Sequence, residues 1–325
     1  MQQGVAIIGL GTVGRRYVEQ FKAHEGFNLI GGFDVVEAAR DAAQTDFGIT
    51  VTGDATGLIN DPAVDVVYIA VPPLHHELYV DQTMAAGKAV FCEKPLGVDN
   101  DETRAMVQRV EQAQARSAVN FVFGAAPSAV ALVDHVRAGT CGEVTGADLR
   151  LHFCRWPRDW QAAATWLRDR DQGGWVREVV SHYVFLINRL FGPAVIEQAH
   201  VGYPKDGSSE QSLTAVLKCG DVLIRLVGTS DAAGADEVEF TVRGTEQSLR
   251  LTNWYQLTAA KSDGAWESVL ADESVAPPAA YAAQLGQVAA MVAGEPNTLA
   301  TFADAFEVQR LVEALLSTGT TSGTR

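Results

Sequence analysis

The sequence predicts an α/β protein in two parts, a doubly wound parallel sheet over residues 1–123 and an α/β domain built on a mostly antiparallel sheet over residues 124–325. Three observations predict it. Residues 4–123 alternate short apolar runs with amphipathic stretches, the pattern of parallel strands joined by helices. Beyond residue 124, β-patterned runs follow one another directly, separated by Gly, Asp and Ser. A chain of 325 residues is also long enough for two hydrophobic cores.

Val5–Ile8 reads as a first buried strand, Thr12–His24 as a helix and Phe27–Phe33 as a second strand. Val64–Val71 is a further strand, His75–Ala86 a helix stopped at Gly87, and Lys88–Cys92 another strand. A helix over Asn100–Ala115 and a strand over Ala118–Phe123 complete the layer, and Gly124-Ala125-Ala126-Pro127 marks the boundary because small residues and a proline interrupt the strand. Right-handed crossovers between such units place a ligand beyond the carboxyl ends of the strands. The second part carries strand patterns at Val144–Phe153, Val195–Tyr203, Ser212–Lys218, Val222–Val227, Val238–Val242 and Ser248–Leu251. Helical patterns return at Ala279–Ala293 and Ala303–Leu316, and Ser317–Gly323 reads as a frayed polar tail.

The formal charge of −15, from 40 acidic and 25 basic residues, repels phosphate backbones and argues against nucleic acid as a partner. Cys92, Cys141, Cys154 and Cys219 have neither Cys-x-x-Cys spacing nor histidines at zinc-site intervals, so reduced thiols are expected and no metal. Met1-Gln2-Gln3-Gly4 runs into a strand without a basic leader, and no apolar run approaches spanning length. The expectation is a cytoplasmic protein with no membrane partner.

Gly9-Leu10-Gly11-Thr12-Val13-Gly14 follows the first strand and opens the first helix, the context a dinucleotide-binding turn requires. Gly9 permits the turn, Gly11 lets a pyrophosphate reach the backbone, Gly14 lets helix and strand pack closely, and Thr12 and Val13 offer N–H groups at the helix start. Asp34 ends the second strand 20 positions after Gly14, where its carboxylate can accept ribose hydroxyls. The competing reading of Asp34 is a cap for the following helix. Asp34 repels a 2′-phosphate, and Val35 and Val36 supply no cation, so NAD is preferred to NADP.

Val71-Pro72-Pro73-Leu74-His75-His76 follows the Val64–Val71 strand, and Phe91-Cys92-Glu93-Lys94-Pro95-Leu96-Gly97 puts a lysine just past the next one. With the glycine turn, this series resembles the Gfo/Idh/MocA oxidoreductases, the glucose-fructose oxidoreductase and inositol dehydrogenase family. The resemblance implies an N-terminal Rossmann domain and a C-terminal domain with a large open sheet used for substrate binding and oligomer contacts, hence a homo-oligomer, a dimer or tetramer. It implies that Val71, Pro72 and His76 line the nicotinamide side, that Glu93 shapes the cofactor site, and that Lys94 contacts the reacting oxygen, often with a cis bond to the following proline. Gly173-Gly174-Trp175-Val176-Arg177-Glu178-Val179-Val180-Ser181-His182 is similar to the family's glycine-rich helix start. There Glu178 replaces the usual aspartate and Val180 the usual glycine. Val122 and Phe123 stand where many relatives carry polar groups.

The resemblance and these residues together imply an NAD(P)-dependent dehydrogenase or reductase acting on CH–OH groups, moving a hydride between nicotinamide and a sugar, polyol or related small molecule. The cofactor carries the redox chemistry. Because imidazole titrates near neutrality, His182 is the candidate acid/base, with Lys94 polarising the oxygen and Glu178 orienting one of them. Arg155, Trp156, Arg158, Trp160 and Trp166 form a candidate substrate wall, since indoles stack on sugar rings and guanidinium forks clamp anions. The same residues can instead anchor a long loop. Two alternatives share the scaffold, a cofactor-binding regulator without catalysis and an NAD-dependent glycosidase.

Overall fold

A computed structural model of the chain describes residues 2–321. The chain forms two compact units, Met1–Phe121 with Tyr281–Phe306, and Val122–Ala280 with Glu307–Arg325.

In the first unit β1 (Gln3–Ile8), α1 (Thr12–Ala23), β2 (Phe27–Phe33), α2 (Glu37–Phe47), β3 (Val51–Thr52), α3 (Ala55–Ile59), β4 (Val66–Ile69), α4 (His76–Ala85), β5 (Ala89–Cys92), α5 (Asn100–Gln112) and β6 (Ser117–Val119) follow in order. The six strands are parallel and run β3-β2-β1-β4-β5-β6, so the order reverses between β1 and β4. Strands buried on both faces need continuous apolar runs, and Val5–Ile8, Val66–Ile69 and Ala89–Cys92 are buried throughout. Because the strands are parallel, Gly9, Asp34, Val71 and Glu93 all follow carboxyl ends on one edge. That edge, at the reversal of strand order, is where such sheets take ligands.

Local details differ from the sequence reading. The strand expected through Phe123 ends at Val119, and Val122–Gly124 is a 3-10 turn. His75 lies in a 3-10 turn with Pro73 at its start, and α4 begins one residue later. α2 and β3 lacked a strong apolar period: only Ala43 of α2 is buried, and β3 has two residues.

The second unit contributes α6 (Pro127–Arg137), β7 (Val144–Phe153), a π-turn over Val176–Val180 leading into α7 (Ser181–Phe191), then β8 (Val195–Tyr203), β9 (Ser212–Cys219), β10 (Val222–Ser230), β11 (Glu237–Gly244), β12 (Ser248–Thr252), β13 (Gln256–Ala260) and β14 (Glu267–Ser268). α8 (Pro277–Ala293), α9 (Phe302–Ser317) and β15 (Thr320–Thr321) end the described chain. Among the described residues the sheet has nine strands in the order β14-β13-β12-β11-β7-β10-β9-β8-β15. It is antiparallel except where β7 meets β10 and β8 meets β15. Alternation along β10 buries Ile224 and Leu226 and exposes Leu223, Arg225 and Val227, the mark of a sheet with one core face.

The tail expected to fray instead pairs Thr320 and Thr321 with Gly202 and Tyr203; residues 322–323 of that stretch lie outside the described residues. A division at residues 123 and 124 also misses a return of the chain. Leu285, Val288 and Met291 of α8 sit in one apolar cluster with Val5, Phe21 and Phe91, so this helix fills the core of the first unit. Its apolar side chains predict burial but not which core receives them.

Candidate active site

The glycine turn can be tested atom by atom. Gly9 has φ of +100°, and a Cβ there would lie 2.6 Å from the Ala70 carbonyl oxygen, so only glycine makes this turn. A Cβ on Gly14 would lie 1.9 Å from the Gly9 oxygen, which forces close contact between α1 and the turn. A Cβ on Gly11 would meet nothing within 4 Å. Gly11 therefore keeps open the space a phosphate needs above the first turn of α1, where Thr12 and Val13 begin the helix and Gly11, its cap, supplies no side-chain bond. A dinucleotide fits this cradle.

Asp34 lies where β2 ends, and its two oxygens accept the Leu10 N–H at 2.8 Å and the Val36 N–H at 2.9 Å. It thus braces the glycine turn and starts the β2–α2 loop, while α2 takes no side-chain cap from its own cap residue, Val36. The sequence reading missed a cation that reaches this loop. Arg40, a turn into α2, donates from Nη1 to the Asp34 carbonyl at 2.7 Å. Six positions separate the two residues, too many for a reading restricted to Val35 and Val36.

At the end of β5, Glu93 and Lys94 are each 9% exposed, and the Lys94–Pro95 bond is cis. A buried carboxylate needs donors, and Glu93 finds them far away in sequence. Tyr68 donates its hydroxyl to Oε1, and Asn120 donates to the same oxygen at 2.5 Å. Asn120 also donates to the Tyr17 hydroxyl at 2.7 Å, and Gln284 of α8 donates to Asn120 at 2.5 Å. The Lys94 N–H reaches Glu93 Oε2 at 3.3 Å. Four other elements or segments of the first unit therefore hold the residue next to Lys94. Burial, and after it the Glu93 charge, pushes the Tyr68 phenol well above its ordinary range, so it stays a donor.

His76 is fully buried, with Nε2 at 2.9 Å from the Val71 carbonyl and Nδ1 at 3.2 Å from that of Leu96. Burial lowers its pKa to about 4, so the ring is neutral. With one N–H, the neutral ring donates to one of these two carbonyls, lying between the segment after β4 and the loop after Lys94, and Pro72 is exposed.

In the second unit, Gly173 and Gly174 precede the helix carrying Glu178 and His182. The structure starts that helix with a π-turn rather than α geometry: the Ser181 N–H bonds the Val176 carbonyl. Such turns recur at functional sites. Glu178 is half-buried and accepts from Gln161 at 3.2 Å, and His182 is 7% exposed. Phe123 and Trp254 meet the His182 ring edge to face, with centroids at 6.1 and 5.3 Å.

Trp254 escaped the sequence reading. It sits with Asn253 between β12 and β13, at φ of +71° and +48° respectively. Asparagine tolerates this left-handed geometry; for tryptophan it costs about 1–2 kcal/mol. Its ring also lies 5.8 Å from those of Phe123 and Tyr183. The only local signal was an asparagine between two β-patterned runs.

The arginine- and tryptophan-rich segment divides. Trp156 is 2% exposed and its indole N–H donates to the Leu167 carbonyl at 3.0 Å, which makes it a loop anchor and not an open wall. Arg155 pairs with Asp159 at 3.4 Å on an exposed surface. Arg158 lies over the rings of Trp160, Phe153 and Trp156 at 4.8, 5.5 and 5.6 Å, and its Nε donates to Gln161 at 2.9 Å. Gln161 then links it to Glu178. Trp160 is 42% exposed and Trp166 is half-buried.

The parallel sheet and its glycine turn define the first unit as a dinucleotide-binding domain. Residues 3–121 match the model of an oxidoreductase family with an NAD-binding Rossmann fold, and residues 129–250 match the GFO/IDH/MocA C-terminal domain. The chain belongs to the GFO/IDH/MocA family. It is 33% identical over 152 residues to inositol 2-dehydrogenase of Paracoccus denitrificans, an alignment covering 46% of this chain and 44% of that enzyme. It is 27% identical to the 1,5-anhydro-D-fructose reductase of Ensifer adhaerens, covering 75% of this chain and 74% of the relative. Among solved structures, a 3-ketoreductase from Actinomadura kijaniata in complex with NADP superposes with a TM-score of 0.82 at 17% identity, over 99% of both chains. An NAD-binding oxidoreductase from Klebsiella pneumoniae does so with 0.82 at 18% identity, covering 98% of this chain and 97% of that one.

Proposed function

We propose that this protein is an NAD(P)-dependent oxidoreductase that moves a hydride between nicotinamide and a secondary alcohol or carbonyl of a sugar, polyol or related hydroxylated small molecule. One observation carries the reading: the edge of the first sheet that presents the open Gly11 turn and Asp34 also presents Lys94. The dehydrogenases and reductases among its relatives support the substrate class.

When bound, the cofactor supplies hydride acceptance and donation. Gly9, Gly11, Thr12, Val13 and Gly14 hold its phosphates, and Asp34 selects its ribose. Lys94 polarises the substrate oxygen. His182 exchanges the hydroxyl proton, and Glu178 orients it or balances its charge. Arg158, tethered through Gln161 to Glu178, favours a substrate bearing an anionic or strongly polar group. Asp34 favours NAD, and Arg40 tempers its repulsion of a 2′-phosphate. The exposed sheet face with Val195, Leu223 and Val227 serves a homo-oligomer, and the protein works in the cytoplasm.

A screen of polyols, sugars and hydroxy acids with NAD and NADP tests this reading. Net formation of the reduced cofactor is expected. Cofactor binding without turnover on any of them would favour a regulator, and sugar release without net reduction a glycosidase.

A further inference from the structure

The start of the helix that carries Glu178 and His182 is held by a carboxyl group from outside it. Glu210, in the segment between β8 and β9, is 1% exposed. Its Oε1 accepts the Val176 N–H at 2.6 Å, and its backbone carbonyl accepts the Trp175 indole N–H at 2.9 Å. The π-turn takes no side-chain bond from its own cap residue, Trp175, so Glu210 caps it from 34 residues away. Gly174, at φ of +97°, makes room: a Cβ there would lie 2.2 Å from Glu210 Oε2. That second oxygen is buried and has no hydrogen-bond partner among the described residues.

Charged and titratable groups act on it from several elements. Arg177, in the π-turn, favours the anion, though its guanidinium is shared with Glu313 of α9 at 2.6 and 2.8 Å and with the Arg170 and Gly173 carbonyls. Glu313 opposes the anion, and Tyr203 on β8, with Arg170 over its ring at 3.7 Å, also faces it.

We propose that Glu210 is a positioning residue whose carboxylate fixes the π-turn aiming Glu178 and His182, and that a proton taken up at Oε2 loosens this hold. The ionised group makes a charge-assisted bond to Val176 at the positive end of the helix; the neutral acid makes a weaker one. Burial raises the carboxyl to about pH 7, which brings the exchange into the working range of a cell.

The kinetic arm of the test rests on His182 as the proton-transfer group; the spectroscopic arm does not. In protein labelled at the glutamate δ-carbon, the resonance missing from Glu210→Gln should titrate with a midpoint near 7. A midpoint below about 5 overturns the proposal. Glu210→Gln keeps the acceptor on Val176 but cannot ionise, so the ratio of wild-type to variant kcat should rise about tenfold from pH 6 to pH 8 with the KM for NAD unchanged. A flat ratio overturns it. Should the variant not fold, exchange of the Val176 amide of the wild type, corrected for intrinsic rates and compared with amides of α7, decides: faster relative opening at pH 6 than at pH 8 supports the proposal, and equal or slower opening overturns it. A titrating carboxyl with pH-dependent opening at Val176, in a protein without turnover, would refute the proposed function and leave standing the hold of Glu210 on the π-turn.

Discussion

The candidate residues of the two units are positioned in different ways. In the first unit, the residues that would meet the cofactor come from short contiguous motifs at the ends of parallel strands, and Gly9 and Gly14 each have a steric reason at their own position while Gly11 borders open space. In the second, Glu178 and His182 lie on one helix, but groups that bear on their orientation come from elsewhere: Gln161, Phe123, Glu210 and Trp254. A site at strand ends is assembled by topology, whereas a site on a helix face depends on side chains that other segments bring to it.

The largest effect expected is on the first unit. Lys94→Ala should lower turnover by about three powers of ten, in the range removal of a positioned acid/base produces, with NAD affinity nearly intact in a direct binding titration. Normal turnover would remove Lys94 from the chemistry. Next comes a contrast within the glycine turn. Gly14→Ala should destabilise or unfold the protein, because its methyl group would enter the space of the Gly9 carbonyl. Gly11→Ala should leave the melting temperature of the cofactor-free protein unchanged while weakening NAD binding at least tenfold, about 1.4 kcal/mol. Equal melting losses for both would show that Gly11 is structural.

Smaller effects bear on selection and on the second unit. Asp34→Ala should weaken both cofactors, since Leu10 and Val36 lose their acceptor, and narrow the preference for NAD. Arg40→Ala should cost NADP about fivefold more than NAD in kcat/KM, roughly 1 kcal/mol. Wild-type preference for NADP would refute the selective role given to Asp34. A separate effect, on stability, is expected at Glu210. Its carboxyl is raised from the ordinary 4.5 to about 7 in the fold, so its contribution is fully present below pH 4.5 and is lost as pH rises through 7. Melting of the wild type relative to Glu210→Gln should therefore fall between pH 5 and pH 8. This global cost of burying the charge is compatible with a tighter local bond to Val176, because burial penalises the anion while the helix start favours it.

Much of the first unit was legible. The runs Val5–Ile8 and Val66–Ile69 are apolar throughout because both faces of the sheet are covered, and the glycine turn carries its geometry in its spacing. The network around Glu93 was not legible, since Tyr17, Tyr68, Asn120 and Gln284 satisfy a buried carboxylate and no local pattern announces which distant side chains will do so. In the second unit the strands were visible through alternation, but the π-turn was not, because its extra residue per turn leaves the same residue types in the same order. Trp156 had two readings in the sequence, a substrate wall and a loop anchor. A residue type suited to a sugar wall proved to be a buried anchor once its indole found the Leu167 carbonyl.

By itself the sequence determined the alternation of strand and helix, the dinucleotide turn and the placing of Lys94 beyond β5, because these depend on period, chirality and the sterics of residues close together in the chain. Only the tertiary structure decided which core received α8, which donors surround Glu93 and which carboxyl caps the Glu178–His182 helix. The reason is desolvation. A polar group taken from water must be matched in place, and its partner can come from any part of the chain that the fold delivers.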